Sequence, residues 1–115
     1  MDIKTLLEQI TTSADKIQFK EVIASIESAY EFTPVAFTNG NVENAEGQNQ
    51  GSCKIFAFAK LHGLTPEQTI ACFGEIYRDE VLAQPTADNH QNIRQFIANG
   101  WEGVTFAGEA LSPKK

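Results

Sequence analysis

No stretch of the 115-residue chain approaches the run of about 20 apolar residues that a membrane-spanning helix needs, so no membrane association is expected. The opening residues also lack the basic-then-apolar layout of a secretory signal, and a soluble cytoplasmic chain is the expectation. Cysteine is scarce: Cys53 and Cys72 are too few for a disulfide scaffold, and both lie in hydrophobic, helix-like sequence, so reduced thiols are expected. His62 and His90 have no metal-ligand spacing to each other or to the cysteines, and neither a metal nor a cofactor is expected. Positive charge is short as well, with Lys+Arg 9 against Asp+Glu 15 and a net charge of -6. That balance disfavours nucleic acid and anionic lipid as partners.

What is present suits a folded globular protein. The chain is 42% hydrophobic and 21% charged, an ordinary balance that argues against disorder. At 115 residues it can bury one core but not two, so residues 1–115 are read as a single domain.

Periodicity then orders the chain. Ile3, Leu6, Leu7 and Ile10 repeat at helical spacing behind a capping Asp2. A second stripe, Phe19, Val22, Ile23, Ile26 and Tyr30, predicts a helix over about residues 19–30, stopped by Pro34. TPVAFTN, ending at the turn dipeptide Asn39-Gly40, reads as a short strand. A polar loop follows to Ser52, and then CKIFAFAKL is apolar nearly all round, which places a helix at the centre of the fold, closed by Gly63. Thr65-Pro66-Glu67-Gln68 has the residues of a capping box and predicts a helix carrying Ile70, Phe73, Ile76 and Tyr77 inward to about Arg78-Asp79. Asp88 is placed to cap a last helix with Ile93, Phe96 and Ile97 inward and Gly100 as its exit. Val104 and Phe106 are expected to pair with the segment of Val35 and Phe37. The expected fold is mainly α (α+β): about five to six helices with a small two-stranded β element.

The runs NAEGQNQGSCKIFAFAKL, QTIACFGEIYRDEVLAQP, DNHQNIRQFIANGW and VTFAGEAL resemble the HopJ family of small bacterial proteins, over roughly residues 17–111. The family takes its name from an effector injected into plant cells by a type III secretion system. The resemblance therefore implies delivery from the bacterial cytoplasm into a host, and it supplies no catalytic residues. The amphipathic first helix, flanked by Asp2 and Glu8, does not resemble a disordered, serine-rich export signal, so residence in the bacterial cytoplasm stands beside delivery.

Three readings of a site arise from the residues. In the first, Cys53 starts the central helix, where helix-terminal N–H groups and Lys54 favour a thiolate, and His90 serves as its base, oriented by Asp88 or Asn92. That is a cysteine-dependent hydrolase or transferase. In the second, the amides of the loop, Asn44 and Asn49 among them, satisfy backbone groups across the domain. The same residues, with Ser52, Asn92 and the cations Lys54 and Arg94, also suit a small polar or anionic ligand at a helix N-terminus. In the third, a protein partner meets an acidic face of Glu75, Asp79 and Glu80. Cys72 and the aromatics are read as core, and His62 as a residue at a helix C-terminus, where the dipole favours a cation. Binding is favoured over catalysis.

Overall fold

The computed structural model describes residues 2–87 and 89–113. α1 (Ile3–Thr12) is capped as expected: Asp2 Oδ1 accepts from the Thr5 N–H at 2.7 Å, and Leu6 and Ile10 face the core. α2 (Phe19–Ala29) buries Val22, Ser25 and Ile26, and it ends one residue early because Tyr30 turns extended and opens β1 (Tyr30–Phe32). Its N-cap, Gln18, supplies no side-chain bond. The carboxylate of Glu75 does so instead, accepting from Phe19 N–H at 2.8 Å across 56 residues of sequence.

Two small sheets flank the helices. β2 (Phe37–Asn39) pairs with both β3 (Val42–Asn44) and β4 (Val104–Phe106), in the order β3-β2-β4, with Phe37 opposite Phe106. The expected two-stranded element is thus present and is widened by β3, which lies inside the segment read as loop. Val35 falls outside it. β1 makes a second, two-stranded sheet with β5 (Leu111–Pro113), Phe32 opposite Leu111.

α3 (Gln50–Leu61) is the centre of the fold: Cys53 and the run from Ile55 to Ala59 are all buried. The ring of Phe56 meets those of Phe37, Phe73, Phe96 and Trp101 at centroid distances of 6.2, 5.5, 5.0 and 6.3 Å. Gly63, at φ 62°, closes the helix, with Gly63 N–H donating to Lys60 O and Leu64 N–H to Ala59 O, the paired bonds of a Schellman end.

α4 (Pro66–Ala71) begins with the full capping box between Thr65 and Gln68. It does not run on to Arg78. Gly74 adopts φ 59°, in the left-handed region, and the chain restarts as a π-helix, Ile76–Val81. The break brings residue 74 against the entry to α2 and aims Glu75 at Phe19. α5 (Gln91–Asn99) buries Ile93 and Phe96, but Ile97 is 50% exposed because the helix is covered on one side only, which corrects its inward placement. Asp88, expected to cap this helix, lies outside the described residues; His90 holds the N-cap position.

A Cβ at residue 74 would lie 2.6 Å from Phe19 N and 2.9 Å from Ile17 O, in a backbone conformation L-residues disfavour. Gly74→Ala is therefore expected to lower unfolding free energy by about 2 kcal/mol or more in urea titration. A loss below about 0.5 kcal/mol would show that this junction is loose.

Candidate functional site

The hairpin and the start of α5 bring three asparagines together inside the protein. Alternation along β2 points Asn39 inward with Phe37, and Asn44 sits opposite Phe37 on β3. Asn39, Asn44 and Asn92 are buried to 0%, 2% and 6% exposure. Asn39 Nδ2 donates to Asn92 O at 2.6 Å and to Asn92 Oδ1 at 3.2 Å. Asn44 Nδ2 donates to Asn92 Oδ1 at 3.2 Å and to Phe37 O at 3.3 Å, and Asn92 Nδ2 returns a bond to Asn44 Oδ1 at 3.0 Å. Asn49 Nδ2 joins from the loop, donating to Asn44 Oδ1 at 2.6 Å. Gln48 Oε1 accepts from Ala45 N–H and Gln50 Nε2 donates to Gly47 O, which ties the loop to itself. The amides bond one another and the backbone, with one exception: Asn39 Oδ1 is buried without a hydrogen-bond partner among the described residues.

Asn49 and His90 share a conformation that the sequence did not signal for histidine. Both have positive φ, 51° and 52°, and they are the only non-glycine residues so placed among the described residues. They are the N-caps of α3 and α5. Both helix starts face one open cavity of about 380 Å³. Its apolar wall includes Phe19, Phe73 and Ile76, and its polar wall includes Asn49, Ser52, His90, Gln91 and Asn92. Residues of the first turns of both helices therefore border the same space, where backbone N–H groups lack intrahelical acceptors.

The structure places the expected site residues as follows. α3 starts at Gln50, three residues earlier than read from sequence, so Cys53 lies past the first turn and its N–H already donates to Asn49 O at 3.0 Å. Its side chain is 1% exposed, with Sγ 4.0 Å from Val35 O, and burial pushes the thiol above its ordinary range, against a smaller pull from the Lys54 charge. His90 Nε2 is engaged by Glu80 Oε1 at 3.1 Å. Cys53 and His90 are not hydrogen-bonded to each other; each has a partner elsewhere.

Nor do the two cations border the cavity. Lys54 Nζ bonds Glu27 Oε2 at 3.0 Å and lies 4.8 Å from the centre of the Phe32 ring, on the α2 side of α3. Arg94 is spent on backbone: its guanidinium donates to Asn89 O, Gln84 O and Glu80 O and to Asn89 Oδ1, clasping the segment that leads into α5. Of the acidic face, Glu75 and Glu80 are likewise bonded within the domain, and Asp79 is exposed.

Cys72 is fully buried, its thiol 3.4 Å from Gln68 O and pushed up to about 12 by burial. His62 corrects the expectation of a cation: burial lowers its pKa and favours the neutral ring, and Nε2 lies 2.8 Å from the Tyr30 hydroxyl. Among the described residues no cluster of three or more His, Cys, Asp or Glu is placed to hold a metal, and no helix is long and apolar enough to cross a membrane. Phe19, Phe73 and Glu80 are the residues of this site that sequence reading assigned elsewhere; the aromatic pair has core spacing, and a carboxylate ten positions before His90 carries no local signal.

Residues 3–111 match the family model described as HopJ type III effector protein. The crystal structure of the unknown function protein VPA0580 is similar throughout, with a TM-score of 0.97 and 49% sequence identity over 99% of this chain and 95% of that one. No curated protein matches the chain.

Removing one amide from the buried set thins the others' bonding. Asn92→Ala should cost about 1–2 kcal/mol in chemical denaturation, because Asn39 and Asn44 each lose the bond to Asn92 Oδ1 while Asn39 keeps the backbone O of residue 92 and Asn44 keeps Phe37 O; a neutral effect would mean that water replaces the side chain. For the thiols, alkylation of the native protein near neutral pH should be slow at both cysteines and become fast only with denaturant. Rapid modification of Cys53 in the native state would reopen thiol chemistry.

Proposed function

The chain belongs to the HopJ type III effector family, and from that premise we propose that it is a binding protein whose site is the cavity between the starts of α3 and α5. The observation that carries this reading is the pair of left-handed caps, Asn49 and His90, at the mouths of two helices that border one cavity. A non-glycine residue held at positive φ costs of order 1 kcal/mol or more, and such strain gathers at sites where geometry matters. The polar wall offers Ser52 and His90, and the first turns of α3 and α5 add backbone donors. A small polar ligand bearing a carboxylate or phosphate suits that chemistry.

Binding is favoured over catalysis because the cysteine that could act as nucleophile is buried and protonated, and the histidine that could activate it is bonded to Glu80 instead. Type III delivery into a host comes to this chain with the family's name. Against that, α1 is a core element through Leu6 and Ile10, which supports a protein that works folded, with its first helix in place, in the bacterial cytoplasm. The acidic balance supports a partner other than nucleic acid or anionic lipid.

Titration of labelled protein with acetate, inorganic phosphate and neutral acetamide, read by amide chemical shifts, tests the site. The anions should move the amides of Ser52 and Asn92, saturably, and acetamide should leave them in place. Saturable shifts centred away from α3 and α5, or none with any probe, would remove the assignment.

A further inference from the structure

The Tyr30–His62 pair lies apart from that cavity and adds a hydrogen bond between α3 and β1, which also meet where Tyr30 packs on Phe58 and Lys54 lies over Phe32. His62 caps the C-terminal end of α3, and Tyr30 opens β1, 32 residues earlier. A phenol is the stronger donor of the two groups, so Tyr30 O–H donates to Nε2 at 2.8 Å and the ring hydrogen of the neutral imidazole sits on Nδ1. The imidazole lies against two aromatic rings, with Phe58 at 4.7 Å and Tyr30 at 6.3 Å between centroids. β1 in turn carries β5, since Tyr30 stands opposite Pro113 and Phe32 opposite Leu111. This side-chain bond therefore fastens the near edge of the two-stranded sheet to the end of the central helix, beside the core packing of Leu111.

We propose that this bond is a proton-operated latch: neutral His62 holds the β1–β5 sheet on α3, and protonation of Nε2 releases it. The proton, taken from solvent, occupies the lone pair that Tyr30 uses. Tyr30 O–H loses its acceptor, and the bond between β1 and the end of α3 is lost with it. The described charged groups on the neighbouring elements are engaged with other residues or exposed. Glu27 of α2 is bonded to Lys54, and Lys54 lies over Phe32. Lys60 of α3 lies over the Phe106 ring at 5.5 Å, while Glu31 on β1 and Glu67 on α4 are exposed. Among the described residues no carboxylate is bonded to the imidazole.

The direction of the switch follows from burial, which lowers His62 below its ordinary value of 6.5. The latch is fully closed above that unfolded-state value, and its contribution is lost as pH falls below it towards and through the folded value. β5 is also one wall of an open groove of about 490 Å³, whose facing wall is Ala57, Lys60 and Leu61 of α3. Releasing the sheet changes the width of that groove.

Amide hydrogen exchange, corrected for its intrinsic pH dependence, reads the latch directly. The reporter is Thr33, whose N–H donates to Ala110 O at 2.8 Å between the two strands; the control is Ala107, bonded to Ala36 O beside the other sheet. Between about pH 7.5 and about pH 5, Thr33 protection should fall about tenfold more than that of Ala107. In His62→Gln this difference should vanish, and in Tyr30→Phe, which keeps the ring, Thr33 should be weakly protected at both pH values. Equal falls at Thr33 and Ala107, or a fall as large in His62→Gln as in the parent, would overturn the proposal. Titration of the His62 ring resonances in the parent stands independently of variant folding: a midpoint below 6.5 is expected, and one at or above it would also overturn the latch.

Discussion

Burial of α3 on every side is the constraint from which the rest of the molecule follows. A helix apolar round its whole circumference cannot lie on a surface, so α2, α5 and strands from both sheets must close over it. Phe56 marks the centre, since rings from β2, the end of α4, α5 and the turn beyond it converge on that one side chain. Such interlocked aromatics contribute through buried area and through the edge-to-face and tilted geometry of the pairs.

A fully enclosed helix needs an entrance, and a polar one cannot be left dry without partners. The chain reaches α3 from a hairpin at the edge of the domain, through Ala45 to Asn49, and its backbone would lose hydrogen bonds to water on the way in. The linked amides of Asn39, Asn44, Asn49 and Asn92 answer that need with groups that both donate and accept. The same linkage fixes α5 relative to the hairpin. It leaves the two N-caps in left-handed backbone at the rim of one cavity, so the scaffold and the candidate site are built from the same residues.

Much of this was legible from residue order alone, where the signal is local. The capping Asp2, the Thr65–Gln68 box, the apolar α3 and the closing Gly63 each act within one or two turns, and each is found where its spacing put it. The pairing of Phe37 with Phe106 was also readable, because both strands alternate. What escaped depends on partners distant in sequence. Glu75 caps a helix 56 positions back, Tyr30 reaches His62 over 32, and Gly74 breaks a helix whose periodicity continues past it because residue 74 must meet the entry to α2. The site suffered most from this. Starting α3 at Gln50 moved Cys53 out of the first turn, and Lys54 and Arg94 were claimed by Glu27 and by backbone carbonyls that no local pattern identifies.

The bond between Glu75 and the start of α2 also bears on how the protein comes into being. A helix of 11 residues is marginal in isolation, and α2 lacks a side-chain cap of its own. During synthesis the ribosome has to deliver α3, α4 and Glu75 before the first N–H of α2 finds its acceptor, and β4 and β5 arrive later still. The start of α2 therefore gains its side-chain acceptor only once the chain has been made as far as Glu75.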